Sequence, residues 1–179
     1  MDAGYSIRLA LPEDTAFLPS IERQAGALFK NCFVETRPKS EAFDQVPSSD
    51  DLAAAQQRGR LWVAVSPGGD RVGFALVIDV GGAAHLDELD VLPEHGRRGL
   101  GSRLLETVCD WAREAGYPGV TLSTFRDVPW NAPFYSRHGF RVVDPRDVSE
   151  QHVQLVRAEK ARGLRIDLRV IMERRTQAG

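Results

Sequence analysis

The stretch VLPEHGRRGLGSRLL, Val91 to Leu105, holds three arginines and three glycines, with no acid after Glu94. It lies between a strand-like apolar run and a helix-like one. A helix N-terminus carries partial positive charge and favours Asp or Glu, so Arg97, Arg98 and Arg103 oppose the local preference by about 0.3–1 kcal/mol each. A bound anion reverses that sign. Glycines let backbone N–H groups close on a phosphate, the helix dipole adds to the attraction, and arginines give charge-assisted hydrogen bonds. Two phosphate motifs do not fit: there is no GK[ST] ending, and Leu104 stands where a GxGxxG fingerprint closes.

A second group of reactive side chains flanks this stretch. HLDELD, His85 to Asp90, brings a histidine and three acids to a strand just before Val91. On a regular strand Glu88 and Asp90 share one face, and Asp87 shares the other with His85, Leu89 and Val91. A bulge near Val91 would alter that parity. Downstream, NAPFYSRHGF, Asn131 to Phe140, supplies an amide and a phenol. His85, His95, His138 and His152 have no metal-ligand spacing, so no metal is expected. Cys32 and Cys109 do not form a disulfide framework. Cys109, among Leu105, Val108 and Ala112, reads as core.

The two motifs together resemble the GNAT acyltransferases. VLPEHGRRGLGSRLL is similar to that family's acetyl-CoA-binding motif, V-x-P followed by Q/R-x-x-G-x-G/A. NAPFYSRHGF is similar to its next motif, an Asn, then a Tyr and a closing Gly-Phe. Gly96 departs from the pattern, standing at the Q/R position with Arg97 beside it. The resemblance implies an N-acetyltransferase that moves acetyl from acetyl-CoA to a primary amine of a small molecule or peptide by direct attack. It implies that the backbone of Leu89, Asp90 and Val91 binds the thioester and pantetheine arm. Gly96, Arg97, Arg98, Gly99, Leu100, Gly101 and Ser102 would then hold the pyrophosphate, with Asn131 and Phe134 flanking the pantetheine. Tyr135 matches the family's general acid. Glu88 is the first choice of general base, with Asp87 and His85 in reserve. A non-catalytic acyl-CoA sensor is the alternative: Gly96 favours it, whereas Asn131 and Tyr135 speak against it.

These residues must be positioned by ordinary elements. YSIRLA alternates like a strand, and LPEDTAFLPSIERQAGALFK has helical spacing. Ser48, Ser49 and Asp50 can cap a short helix. LWVAVSP and RVGFALVIDVG read as a hairpin joined through GGD. A helix from Gly99 to about Ala115 follows the strand AHLDELDVL, and VTLSTF is the next strand. A short helix, the strand FRVVD, a helix from Val148 to Arg162 and a final strand, LRIDLRVIMERR, complete the chain. The order predicts an α/β (α+β) fold over 1–179 as one domain. Its expected form is GNAT-like: a mixed, mostly antiparallel central sheet, flanked by helices and splayed around the acyl-CoA site. By the same resemblance Glu22, Phe29 and Phe33 line the amine pocket, and the Val148–Arg162 helix covers it, favouring a small acceptor. The final strand offers a pairing edge for a homodimer. A formal charge of −2 gives no nucleic-acid footprint, and no apolar run approaches membrane-spanning length. The N-terminus lacks a basic segment leading an apolar core, so a cytoplasmic setting is expected.

Overall fold

The computed structural model describes residues 4–31, 47–161 and 163–176; Cys32 and Phe33 lie outside them. Seven strands form one sheet in the order β1-β2-β3-β4-β5-β7-β6. They are β1 (Ser6–Leu9), β2 (Leu61–Val65), β3 (Arg71–Val80), β4 (Ala83–Val91), β5 (Gly119–Phe125), β6 (Arg141–Val142) and β7 (Arg169–Arg175). Every neighbouring pair is antiparallel except β4–β5. The near-continuous apolar runs of β2 and β3 are explained by cover on both faces.

One face packs on α3 (Leu100–Glu114), whose Leu104, Leu105, Val108, Cys109 and Ala112 are buried against Ala75, Val77, Leu86 and Leu122. The other face meets α1 (Leu18–Gly26) and α2 (Ser49–Gln57), with Leu18, Ile21 and Leu52 on Val63, Phe74 and Leu76. Ser48 caps α2 by accepting from Asp51 N at 3.1 Å. The helical pattern from Leu11 onward resolves into three pieces: α1 and short 3-10 turns at Pro12–Ala16 and Ala27–Asn31. Pro19 sits in the first turn of α1, where its missing N–H costs nothing.

Two further helices are α4 (Ala132–Arg137) and α5 (Glu150–Ala161). α5 starts two residues later than its sequence pattern, after Ser149 bonds the His152 backbone. β7 is not a free edge: it lies between β5 and β6. The final strand therefore does not offer the pairing edge that the sequence suggested.

Two irregularities in β4 shape everything that follows. Its register with β3 shifts between Leu76 and Val77, pairing Leu76 with Glu88 and Val77 with Leu86, so Asp87 is the extra residue of a bulge. After it, Leu89 and Val91 continue on the α3 side with Ala84 and Leu86. Glu88 and Asp90 fall on the opposite face, the same as His85. The bulge lies upstream of the place where the sequence allowed one, and it separates His85 from Leu89 and Val91. β4 also parts from β5, because their parallel pairing ends at Leu86–Leu122. Beyond that pair the strands diverge, and one backbone edge of Glu88–Val91 faces the gap.

Candidate functional site

The gap opens into two cavities that share walls. The larger, about 690 Å³, is lined by Leu89, Asp90 and Val91 of β4, by the turn from Pro93 into α3, and by Asn131, Phe134 and Tyr135. The smaller, about 160 Å³, lies on the α1 and α5 side and includes Glu22, Phe29, Glu88, Asp90, Glu159 and Arg169. Phe29, Leu89, Asp90, Asn131 and Tyr135 belong to both.

The turn into α3 leaves a group of backbone donors open. The first turn of any helix leaves N–H groups without intrahelical acceptors. Here no side chain caps α3, and its N-cap, Gly99, is left-handed at φ 79°. Among the described residues, the N–H groups of Arg98, Gly99, Leu100, Gly101 and Ser102 meet no backbone carbonyl. Arg97 has φ 56°, a conformation that favours glycine. Gly96, by contrast, has an ordinary φ of −63°. The left-handed conformation thus falls on the arginine and not on the glycine before it. A Cβ at Gly96 would sit 3.0 Å from the Pro93 carbonyl oxygen, which explains the missing side chain. The Gly96 N–H already donates to that oxygen at 3.1 Å and is not available to a ligand.

The three arginines separate. Arg97 lines the larger cavity. Arg98 does not, since its guanidinium lies over the Tyr5 ring at 6.0 Å, and Arg103 Nη2 donates to Tyr5 O at 3.2 Å. Arg98 thus lies at the surface of the turn, outside the lining of the larger cavity. The sequence reading missed His95 and Arg137, both of which line the larger cavity. Arg137 stands inside NAPFYSRHGF, and its place on a short helix after Asn131 is the signal for it. Ser102 is held in a chain that runs out of the cavity. His138 Nε2 hydrogen-bonds Ser102 Oγ at 3.0 Å, and His138 Nδ1 donates to Glu106 Oε1 at 3.2 Å. Arg174 Nη1 holds Glu106 from the other side at 2.8 Å.

Tyr135 is buried in α4, its ring packed edge-on against Phe134 and Phe140 at 5.1 and 5.8 Å. Burial, then the Asp90 and Glu88 charges, push its phenol well above the usual tyrosine range, so it stays protonated at neutral pH. Burial also raises both carboxyls. Asp90 is pushed up to about 7, and Glu88 is lifted well above its usual range by burial, then by Asp90, Glu22 and Asp87. Asp90 Oδ2 is out of solvent contact and meets no donor among the described residues. Asp90 therefore changes charge near neutrality.

Of the reserve bases, Asp87 lines the smaller cavity. His85 lines neither: it is buried beneath α5, bonded through Nδ1 to Thr121 Oγ1 at 2.9 Å, and pushed down to about 3, first by burial. Cys109 is buried on the sheet-facing side of α3, and burial pushes its thiol up to about 11, which makes it a poor nucleophile. Arg169 was also missed. It bonds Glu159 Oε1 and Ser123 O at 3.0 and 2.8 Å, and its guanidinium lies 4.9 Å from the centre of the Phe125 ring. No motif marks Arg169, because its place depends on β7 pairing with β5.

A match to the acetyltransferase (GNAT) family model covers residues 24–140, which include both motifs. The chain is a GNAT acetyltransferase. Solved structures of GNAT enzymes share its fold. The PaiA N-acetyltransferase of Thermoplasma acidophilum, in complex with coenzyme A, is 19% identical with a TM-score of 0.67 over 96% of this chain and 98% of its own. The ribosomal-protein-S18-alanine N-acetyltransferase of Escherichia coli is 20% identical, with a TM-score of 0.65 over 98% and 96%. The N-acetylglutamate synthase of Neisseria gonorrhoeae, complexed with coenzyme A and N-acetyl-glutamate, is 18% identical at a TM-score of 0.69, over 99% of this chain and 36% of its own. Among the described residues no helix is long and apolar enough to cross a membrane.

Proposed function

We propose that this acetyltransferase moves acetyl from acetyl-CoA to a primary amine of a small molecule, by direct attack and with all of 1–179 acting as one domain. The carrying observation is that Tyr135, Asp90 and Asn131 line both cavities, where β4 leaves β5. The larger cavity fits the donor. The open N–H groups of α3 and Arg97 suit its pyrophosphate, while the unpaired edge of β4 can hydrogen-bond the pantetheine amides like an added strand. Asn131 and Phe134 flank that arm.

The residues then divide the proton work. Alkylamines have a pKa of roughly 10 and arrive protonated. The Glu88–Asp90 pair accepts the ammonium proton, and the freed nitrogen attacks the thioester carbonyl. The C–N bond forms, the C–S bond breaks, the Tyr135 hydroxyl gives its proton to the departing sulfur, and the proton that the new amide nitrogen sheds returns Tyr135 to its neutral form. The inert Cys109 supports a route without an acyl-cysteine, and its free thiol fits the cytoplasm. The α5 helix contributes Glu159 to the smaller cavity and narrows it, which favours a small acceptor over a protein tail. The test is CoA thiol release from acetyl-CoA across a panel of amines. Amine-dependent release is expected, and tight CoA binding with no release for any amine would instead establish a sensor.

A further inference from the structure

Behind the turn into α3 lies a run of side chains that the transfer chemistry does not use. Ser102 stands on the wall of the larger cavity, and its hydroxyl meets His138 Nε2 at 3.0 Å. The other ring nitrogen, Nδ1, meets Glu106 Oε1 at 3.2 Å. Arg174 Nη1 comes in from β7 and donates to both Glu106 oxygens, at 2.8 and 3.0 Å. The Phe134 ring, which lines the same cavity, packs on the imidazole with 4.8 Å between centres. Four elements therefore meet at His138, but only Ser102 and Phe134 reach the cavity.

Counting protons fixes the direction of each bond. The hydrogen bond from Arg174 outweighs partial burial and, with His138, holds the Glu106 carboxyl below its usual range. An ionised carboxylate only accepts, so His138 Nδ1 carries a proton. In the neutral ring Nε2 is then bare, and the Ser102 hydroxyl has to donate to it. Its oxygen offers a ligand lone pairs alone, which oppose an anion. In the charged ring Nε2–H donates to Ser102 Oγ instead, and the hydroxyl proton is released for a ligand. The other charged groups near this ring do not alter the count. Arg137 precedes it in α4, and Asp110, one turn beyond Glu106 in α3, is paired with Arg113 at 2.8 Å. Cys109 stays a neutral thiol, and Arg141 of β6 pairs in register with Glu173, on the sheet face opposite Arg174.

We infer that His138 is a positioning residue for the donor's pyrophosphate: protonated between Glu106 and Ser102, it turns the Ser102 hydroxyl from an acceptor into a donor to a phosphoryl oxygen. The inference rests on the reading that the turn into α3 holds the pyrophosphate, and it adds that donor binding is coupled to uptake of a proton. The bound phosphate strengthens the hold on that proton. The gain in affinity is therefore complete at the acid end of the histidine range and is lost as pH rises through it.

The experiment titrates the full chain calorimetrically with dephospho-CoA, whose pyrophosphate stays ionised throughout, between about pH 8.5 and about pH 5.5. Going to the acid end, wild type should gain about tenfold more affinity than His138→Ala or Ser102→Ala, as one hydrogen bond to a charged group predicts. Titration of Asp90 is common to all of them and cancels. Pantetheine, which lacks the phosphates, should show no such difference. A second measurement needs no variant. Nitrogen NMR of wild type should find neutral His138 in its Nδ1–H form, with a titration midpoint about one pH unit higher in the complex, the same tenfold effect read as a proton affinity. Equal gains in wild type and variants, a difference that persists with pantetheine, or a midpoint that dephospho-CoA leaves in place overturns the proposal. Arg97→Gly decides the underlying reading separately. If it weakens dephospho-CoA binding while any of those results is obtained, the pyrophosphate stays at the turn and the role of His138 is removed. Unweakened binding in both Arg97→Gly and Ser102→Ala removes both.

Discussion

Replacing Asp90 by Asn removes one charge from the buried pair while keeping the β4 backbone and the side-chain shape. Glu88 and Asp90 are two residues apart on one face of a strand, about 6.6 Å at roughly 3.3 Å per residue. With an effective dielectric of about 20, two unit charges at that separation repel by about 2.5 kcal/mol. At about 1.36 kcal/mol per pH unit, that corresponds to nearly 2 units. The base must be ionised to accept a proton, so kcat/KM rises with pH through the titration of the pair. Burial and the Asp90 charge both hold Glu88 up, which places this acid limb higher than an isolated carboxyl would. Asp90→Asn lowers the Glu88 pKa, so the limb moves to lower pH, by up to about 2 units. The assay is kcat/KM for one amine against pH, in wild type and variant, with CoA affinity measured alongside. The amine's own ionisation is common to both enzymes and cancels in the comparison. A limb that stays in place, or moves to higher pH, refutes the role of the pair.

Tyr135→Phe keeps the ring packing and removes the proton donor, so kcat should fall by about 100-fold or more with CoA affinity nearly intact; unchanged turnover refutes the general-acid role. Arg97→Gly relieves a left-handed side chain that costs roughly 1–2 kcal/mol, partly offset by glycine's greater unfolded freedom. Thermal unfolding should therefore show equal or higher stability while CoA binding weakens, and lost stability with retained CoA affinity would refute both halves. Asp14 is fully buried; burial raises its carboxyl, but Arg8, the Leu11 N–H and Arg71 overcome this and hold it at about 2. Its contribution is complete above about pH 4 and is lost as pH falls toward 2. Asp14→Ala should cost about 2–4 kcal/mol at pH 7 and much less at pH 2, measured by denaturant unfolding; an equal loss at both would refute the linkage.

The local chemistry of the site was legible where it is encoded locally. The glycine-rich turn into α3, the capped α2, the β2–β3 hairpin and α4 all follow from turn residues and periodicity within a dozen positions. What the sequence hid depends on pairing between distant segments. The Asp87 bulge is defined by a register with β3, and HLDELD alternates too imperfectly to locate it. The ring beneath Arg98 comes from Tyr5, just before the first strand, more than ninety positions away in the chain. Arg169 and Glu159 meet Ser123 only after β7 has inserted between β5 and β6, so none of the three is marked by its neighbours in sequence.

The bulge at Asp87 also governs how this strand can be compared with others. Position-by-position alignment to an unbulged strand, without a gap at Asp87, would set the Glu88 and Asp90 carboxylates opposite core positions and Leu89 opposite a catalytic one. By the same geometry, deleting Asp87 would remove the bulge and keep Leu86 opposite Val77 and Glu88 opposite Leu76, so both acids would stay on the cavity side. Ironing the bulge flat with Asp87 retained in the pairing would instead press the acids into the α3 core and turn the leucine into the cavity. The strand thus tolerates the loss of its extra residue better than the loss of its bulge.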